Sequence, residues 1–251
     1  MNLTFLLLLA SLAASDAAAF SPNSPSSSTT RSPTELGSST TDDTPMFDEF
    51  VDEAALLKQS TFPIQPAALM KRAKEILAAD CGIGTKDGGA CLAPDFEFCA
   101  AVVGPIGREE YLGALGSFSL EEAFDITPNF FGMTVDPIQP NRVWFFNRVQ
   151  GIHKGTFMGA KASGKEIVYP PQILHIDLDE QGLVREFGFY TADRRQGNTG
   201  GLGGAFGFMY GVGKPLPIPE CRPFKRSLQF RLLSKVGNLA QKLSRKKEKK
   251  E

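Results

Sequence analysis

The sequence predicts an α+β fold built on an antiparallel sheet, and three observations carry that prediction. Residues 66–79, PAALMKRAKEILAA, put Leu69, Ala73, Ile76 and Leu77 on one helical face with Pro66 in the first turn. Four apolar, β-rich runs follow later, at 129–138, 141–157, 165–178 and 183–192. The last two are joined by Asp179-Glu180-Gln181-Gly182, which reads as a hairpin turn. Helices grouped before strands that return on one another indicate α+β rather than an alternating parallel fold. There is no internal repeat.

At the N-terminus, residues 3–14 (LTFLLLLASLAA) form an apolar run too short to cross a membrane and of the right length for a signal-peptide core. Ala17 and Ala19 occupy the −3 and −1 places of an A-x-A cleavage site before Phe20, although no Lys or Arg precedes the run. Residues 1–19 therefore read as a signal peptide, the other reading being a buried N-terminal helix. Residues 20–45 are mostly Ser, Thr and Pro, with Arg31 the single basic residue. Such a segment buries too little apolar surface to offset its ordering entropy and is expected to be disordered. Residues 46–61 read as a linker or short helix, 62–196 as the folded domain, 197–224 as a glycine-rich apolar extension and 225–251 as a basic amphipathic tail.

Within the domain, Cys81–Cys91 is a glycine-rich loop, Asp95–Ile106 has strand composition, and Arg108–Phe118 reads as a short helix capped by the turn at Gly107. The chain of 251 residues has a net charge of −1, from 27 basic and 28 acidic residues. That balance argues against a uniformly basic nucleic-acid binder, but it hides segregation. Residues 225–251 hold ten Lys/Arg and two Glu, a charge of +8, whereas the remainder holds 17 basic and 26 acidic residues, −9.

The stretch Gly151–Asp193 resembles the SnoaL-like branch of the nuclear-transport-factor-2-like superfamily. Gly151, His153 and Gly155 match its G-T-H-x-G segment, with Ile152 in place of Thr. Gly159 and Ser163-Gly164-Lys165 match its G-x-x-x-T-G-K turn. Gly182, Val184 and Glu186 match its D-G-K-I-x-E hairpin, and Asp193 falls at its final Asp. Leu92–Leu115 is similar to the family's early strand and following helix. The resemblance covers roughly residues 62–195 and implies a cone-shaped curved antiparallel sheet packed on N-terminal helices around an apolar pocket. It implies no single activity, because the superfamily holds cyclases, isomerases, dehydratases and many non-enzymes. Dimerisation through the open sheet face is a further expectation by resemblance. The string AAAFSP (Ala17 to Pro22) resembles the ASAFAP-type motif of algae with secondary red plastids, which implies plastid import by a signal plus transit peptide; secretion is the alternative.

The resemblance makes Asp193 a candidate general acid/base acting on a C–H beside a carbonyl. A carboxyl on the floor of an apolar pocket has its pKa raised by desolvation, as in ketosteroid isomerase of the same superfamily. Alternatively Asp193 pairs with Arg194, Arg195 or Arg185 at a strand end. His153 and His175, the only two histidines, are either pH-active pocket groups or structural hydrogen-bonding side chains. Counting back from the turn puts His175 opposite Glu186 and Asp193 opposite Val168, so His175 and Asp193 are not expected to be partners. Trp144, Phe146, Tyr169, Phe189 and Tyr190 are candidates for the pocket lining, as is Asn147, or the aromatics are plain core.

No cofactor is expected, and no metal, since two distant histidines lack paired ligand spacing. Cys81 and Cys91 can bridge in an oxidising compartment or remain reduced in a plastid stroma; Cys99 is expected buried. The segment Asn198–Glu220 has its glycines one residue too far apart for G-x-G-x-x-G and lacks the G-K-[ST] of a phosphate loop, which excludes nucleotide binding there. It is expected to be a lid or flap on the cone mouth, a dimer contact, or an extension lying on the sheet. In the tail, Leu228, Leu232, Val236, Leu239 and Leu243 form one helical stripe ringed by Lys and Arg and interrupted at Gly237 and Asn238. It can lie on an anionic membrane or RNA, or be a solvated helix. The leading functional reading is a small apolar ligand (pigment, lipid or carbonyl metabolite) or a protein partner in the cone pocket. The alternatives are an isomerase, cyclase or dehydratase using Asp193, and an accessory protein acting through its tail.

Overall fold

The computed structural model describes residues 50–116 and 120–248. The signal peptide expected at 1–19 and the transit-like segment expected at 20–45 lie outside the described residues. Helix α1 (Glu53–Gln59) begins at Asp52, whose carboxylate accepts the Ala55 N–H at 3.0 Å. Helix α2 (Pro66–Leu77) follows the predicted periodicity and buries Leu69, Ala73 and Ile76. A turn-rich loop leads to strands β1 (Leu92–Ala100) and β2 (Val103–Gly107), then helices α3 (Arg108–Gly116) and α4 (Leu120–Ala123). Seven strands follow: β3 (Phe124–Thr127), β4 (Phe131–Val135), β5 (Arg142–Asn147), β6 (Gln150–His153), β7 (Glu166–Val168), β8 (Gln172–Leu178) and β9 (Val184–Thr191). Helices α5 (Gly204–Gly211) and α6 (Leu228–Glu248) close the chain.

The chain is thus α+β, with one six-stranded sheet in the order β2-β1-β9-β8-β5-β4 and one three-stranded sheet in the order β3-β6-β7. The larger sheet is mixed, not wholly antiparallel: β1 runs parallel to β9. Hairpins are legible from turn residues, but a pairing between the first and last strands is set by tertiary packing. The run Asp95–Ile106 is not one strand but most of a hairpin, because the chain reverses at Ala101-Val102 without a Gly, Pro or Asn to mark it.

Strands β3/β4, β5/β6 and β7/β8 are three ribbons that each break at the same level: at Pro128–Phe130, Arg148-Val149 and Tyr169–Pro171. Two hydrogen bonds carry the ladder across the break, Arg148 N–H to the Pro128 carbonyl at 3.1 Å and Tyr169 N–H to the Val149 carbonyl at 2.9 Å. Pro170 and Pro171 have no N–H to donate, so pairing stops there. The break separates two cores. One packs Leu69, Ala73 and Ile76 of α2 against Val143, Phe145, Ile176 and Phe187 of the large sheet. The other packs Phe208 and Met209 of α5 against Phe124, Ile167 and Tyr169 of the small sheet. Helix α5 reaches that sheet through Gly207, where a Cβ would stand 2.8 Å from the Tyr169 ring.

At the β8–β9 turn, Leu178 pairs with Val184 and Asp177 with Glu186, leaving Arg185 as a bulge. The turn is one residue longer than Asp179–Gly182 and the bulge adds a second, so the register shifts by two: His175 faces Gly188 rather than Glu186, and the strand ends at Thr191 before Asp193 can pair with Val168. Helix α6 runs without a break through Gly237 and Asn238; one glycine in a long helix costs about 1 kcal/mol, too little to stop it.

Candidate functional site

Between the helix-covered face of the large sheet and the extension lies a cavity of about 1920 Å³. Strand parity decides which side chains reach it. On β8, Gln172 and Leu174 face inward, and on β9 so do Phe187, Phe189 and Thr191. Phe98 and Tyr111 form the wall beside the turn-rich loop, and Tyr169, Phe206 and Phe208 form the opposite wall. The extension is part of this wall and also lies on the small sheet, so it joins two of the roles expected for it.

Two polar side chains stand on this apolar surface. Asn147 of β5 and Gln172 of β8 are direct cross-strand neighbours and only 5% and 3% exposed. Asn147 Oδ1 and Gln172 Nε2 have no hydrogen-bond partner among the described residues. A buried polar group left unpaired costs roughly 1–3 kcal/mol, so an unpaired acceptor and donor side by side are an unusual expense for a fold to keep. Three of the lining hydroxyls are already engaged. Tyr169 Oη donates to the Gly204 carbonyl at 2.5 Å, Tyr111 Oη to the Ile83 carbonyl at 3.2 Å, and Thr191 Oγ1 to the Gly201 carbonyl at 3.3 Å. Burial pushes the Tyr169 and Tyr111 phenols up, so both remain neutral donors. The lining carboxylates among the described residues are Glu121 and Glu122, both exposed, and Glu220; Glu121 pairs with Lys86. None sits on the apolar surface beside Asn147 and Gln172.

Asp193 lies outside the cavity wall, in the turn after β9. Its Oδ1 accepts from Arg195 Nε at 2.8 Å and from the Arg195 N–H at 3.1 Å; its Oδ2 accepts from Arg195 Nη2 at 3.0 Å and Gln196 Nε2 at 3.1 Å. The Arg195 guanidinium first, and these N–H groups after it, hold the carboxyl well below the usual carboxylate range. This is the reverse of the desolvated, proton-holding carboxyl that the acid/base reading needs.

His153, on β6, is buried with its ring stacked on Phe124 at 5.1 Å, its Nδ1 3.0 Å from Ser163 Oγ and its Nε2 without a partner among the described residues. It does not line the cavity. His175, Trp144 and Phe146 lie on the other face of the large sheet, by the same parity that sends Val143, Phe145 and Leu174 inward. There His175 Nε2 meets Glu186 Oε1 at 2.7 Å, the Trp144 ring lies 5.2 Å from His175, and Trp144 Nε1 donates to Asp136 at 2.8 Å. Arg142 holds Asp177 through two bonds of 2.5 and 2.7 Å and reaches Glu186 at 3.2 Å. Phe146 stacks on Phe131. Of the five aromatic residues expected in the pocket, Tyr169 and Phe189 line it, and Tyr190 borders it while its ring stacks on His175. Trp144 and Phe146 do not, because they fall on alternate positions of β5. Gln172 has no part in the sequence-based expectations. Its signal was parity: the polar residue in phase with Leu174 and Ile176 in QILHIDL.

No protein-family model and no curated protein matches the chain. Among solved structures it is similar to AclR, a candidate hydroxylase from Streptomyces galilaeus, at 16% identity and a TM-score of 0.43, covering 72% of this chain and 97% of that one. It is similar to a candidate SnoaL-like polyketide cyclase from Jannaschia sp. CCS1 at 18% identity and a TM-score of 0.40, covering 53% of this chain and 90% of that one. A third is an LEH-like epoxide hydrolase of M. tuberculosis, at 11% identity and a TM-score of 0.38, covering 50% of this chain and 83% of that one.

Proposed function

We propose that the protein binds a small, largely apolar molecule carrying a carbonyl or hydroxyl group, which meets the Asn147–Gln172 pair while its apolar body lies against Phe98, Phe187, Phe189 and Phe208. The unpaired Asn147 Oδ1 and Gln172 Nε2 carry this reading. A hydroxyl satisfies the first as donor and the second as acceptor; a ketone oxygen satisfies Gln172 alone. Binding without turnover is favoured over general acid/base catalysis, since Asp193 is ion-paired and away from the cavity. A medium-chain alkane, ketone and alcohol series, competed against an apolar fluorescent dye, tests it. The wild type should prefer the alcohol and ketone. Gln172→Leu should lose that preference by about tenfold, and Asn147→Leu mainly for the alcohol, while each stabilises the empty protein by about 1 kcal/mol. Unchanged selectivity, or a loss of stability in both variants, would refute the proposal.

A second reading rests on α6, where Leu228, Leu232, Leu233 and Val236 are exposed beside Lys and Arg: the helix lies on an anionic membrane surface. Plastid delivery by residues 1–45 is the setting we infer from the AAAFSP motif, to be checked by locating a fluorescent fusion of residues 1–60.

A further inference from the structure

We propose that Cys81, Asp87 and Cys91 form a site for one thiophilic divalent cation of the Zn²⁺ class. The sequence spacing C-x5-D-x3-C matches no zinc pattern, and the three residues meet only because the loop after α2 coils on itself. The Gly82 N–H donates to the Ala78 carbonyl at 2.8 Å, Lys86 N–H to Cys81 at 3.0 Å, and Gly89 N–H to Gly84 at 2.8 Å. These turns bring Asp87 back over Cys81 and lead into β1 at Cys91. Cys81 Sγ lies 3.4 Å from Asp87 Oδ2, and the two sulfurs and a carboxylate oxygen all lie within 4.8 Å of one another. Ligand atoms of a tetrahedral zinc site stand about 3.5–3.8 Å apart, given Zn–S near 2.3 Å and Zn–O near 2.1 Å. Closing this triad on an ion therefore needs side-chain shifts of about 1 Å, with Asp87 already held in place by the Gly89 and Cys91 N–H groups at 3.0 and 2.9 Å.

The donor chemistry selects the ion. Two thiolates with one carboxylate suit Zn²⁺ and disfavour Mg²⁺ or Ca²⁺, which require all-oxygen shells. Both cysteines are free thiols, Cys91 buried and Cys81 half-buried, so the ion would enter past Cys81. Binding converts two thiols to metal thiolates and releases two protons to solvent; Asp87 enters as carboxylate, and no oxidant is consumed. Three protein ligands leave the fourth position to water. The same loop supplies Gly82, Ile83, Thr85 and Lys86 to the cavity wall, so the ion would fix one wall of the ligand site to the start of β1.

The test uses the full chain, freed of metal, reduced with a phosphine and titrated with Co²⁺. One equivalent should produce a thiolate-to-cobalt charge-transfer band that Zn²⁺ then abolishes. Cys81→Ser and Cys91→Ser should each lose the band, Asp87→Asn should bind at least about tenfold more weakly, and Cys99→Ser should behave as wild type. Independently of any variant, Zn²⁺ should slow iodoacetamide alkylation of Cys81 at least tenfold by peptide mass spectrometry, leaving Cys99 unaffected. A reduced wild-type chain with no thiolate–cobalt band, a band that survives Cys81→Ser, or alkylation of Cys81 indifferent to Zn²⁺ overturns the site. Recovery of a Cys81–Cys91 disulfide whose reduced form takes up no Co²⁺ does the same.

Discussion

His175 shows what one register shift does to a side chain. The carboxylate of Glu186 can only accept, so Nε2 carries the proton and Nδ1 is left as a buried acceptor without a partner among the described residues. Burial, the largest influence, lowers the imidazole pKa below 6.5, with Glu186 opposing and Arg142 assisting. The folded state therefore takes up a proton less readily than the unfolded chain, and stability falls as pH falls through 6.5. Between pH 7.5 and 5.5 the wild type should lose stability in urea denaturation, and His175→Gln should remove that loss. Equal losses in both would exclude the assignment. The sequence placed His175 in a strand and named Glu186 as its neighbour. It could not show the longer turn and the bulge at Arg185, which together shift the register by two, so the neighbour proves to be diagonal on the same face rather than directly opposite. Asp193 illustrates the converse. A motif position located it, yet its chemistry comes from Arg195 two residues on, and Asp193→Asn should leave ligand binding unchanged within about twofold by the same dye competition.

Among the elements, β9 depends on one missing side chain. A Cβ on Gly188 would stand 2.2 Å from the Cys99 carbonyl oxygen and 2.4 Å from the His175 ring. The first clash is with backbone and cannot be relieved by a rotamer. Gly188→Ala should therefore force β1, β9 and His175 apart and cost about 2–3 kcal/mol, seen as a lowered urea midpoint. An unchanged midpoint would mean that β1 and β9 separate freely. Helices α1 and α2 and the strands of the later runs were legible from period and turn residues. The β1–β2 turn was not, since Ala101-Val102 carries no turn signature. Nor was β3, whose four residues are too few to show a period. Trp144 and Phe146 look like Phe189 in composition; only knowing which face α2 covers separates lining from exterior.

For the whole molecule, charge and exposure coincide at the C-terminal end. In the +8 segment the described apolar side chains stay exposed, at 76% for Leu228 and 65% for Leu232. A chain ending at Phe224 should keep its melting temperature within about 2 °C, because none of the deleted side chains that are described belongs to either core. On the proposed membrane reading, the full chain should co-sediment with phosphatidylserine vesicles, less so with added salt, and the shortened chain should not. Equal sedimentation of the two chains would refute that reading. The α+β class was readable from segment order, whereas the site was only half readable: a pocket needs both faces of a sheet assigned, and the Asn147–Gln172 pair exists only once β5 and β8 are in register.

The parallel pairing of β1 with β9 bears on how the protein is made. On a ribosome Glu97 emerges early and Glu186, its partner, late. Until then the β1 edge of the β1–β2 hairpin is open, and nothing joins it to the β8-β5-β4 strands on which α2 packs. A nascent chain ending before Val184 should therefore remain protease-sensitive and bind chaperones, and resistance should arrive in one step once β9 has cleared the exit tunnel. Such a chain stays threadable until synthesis is nearly complete.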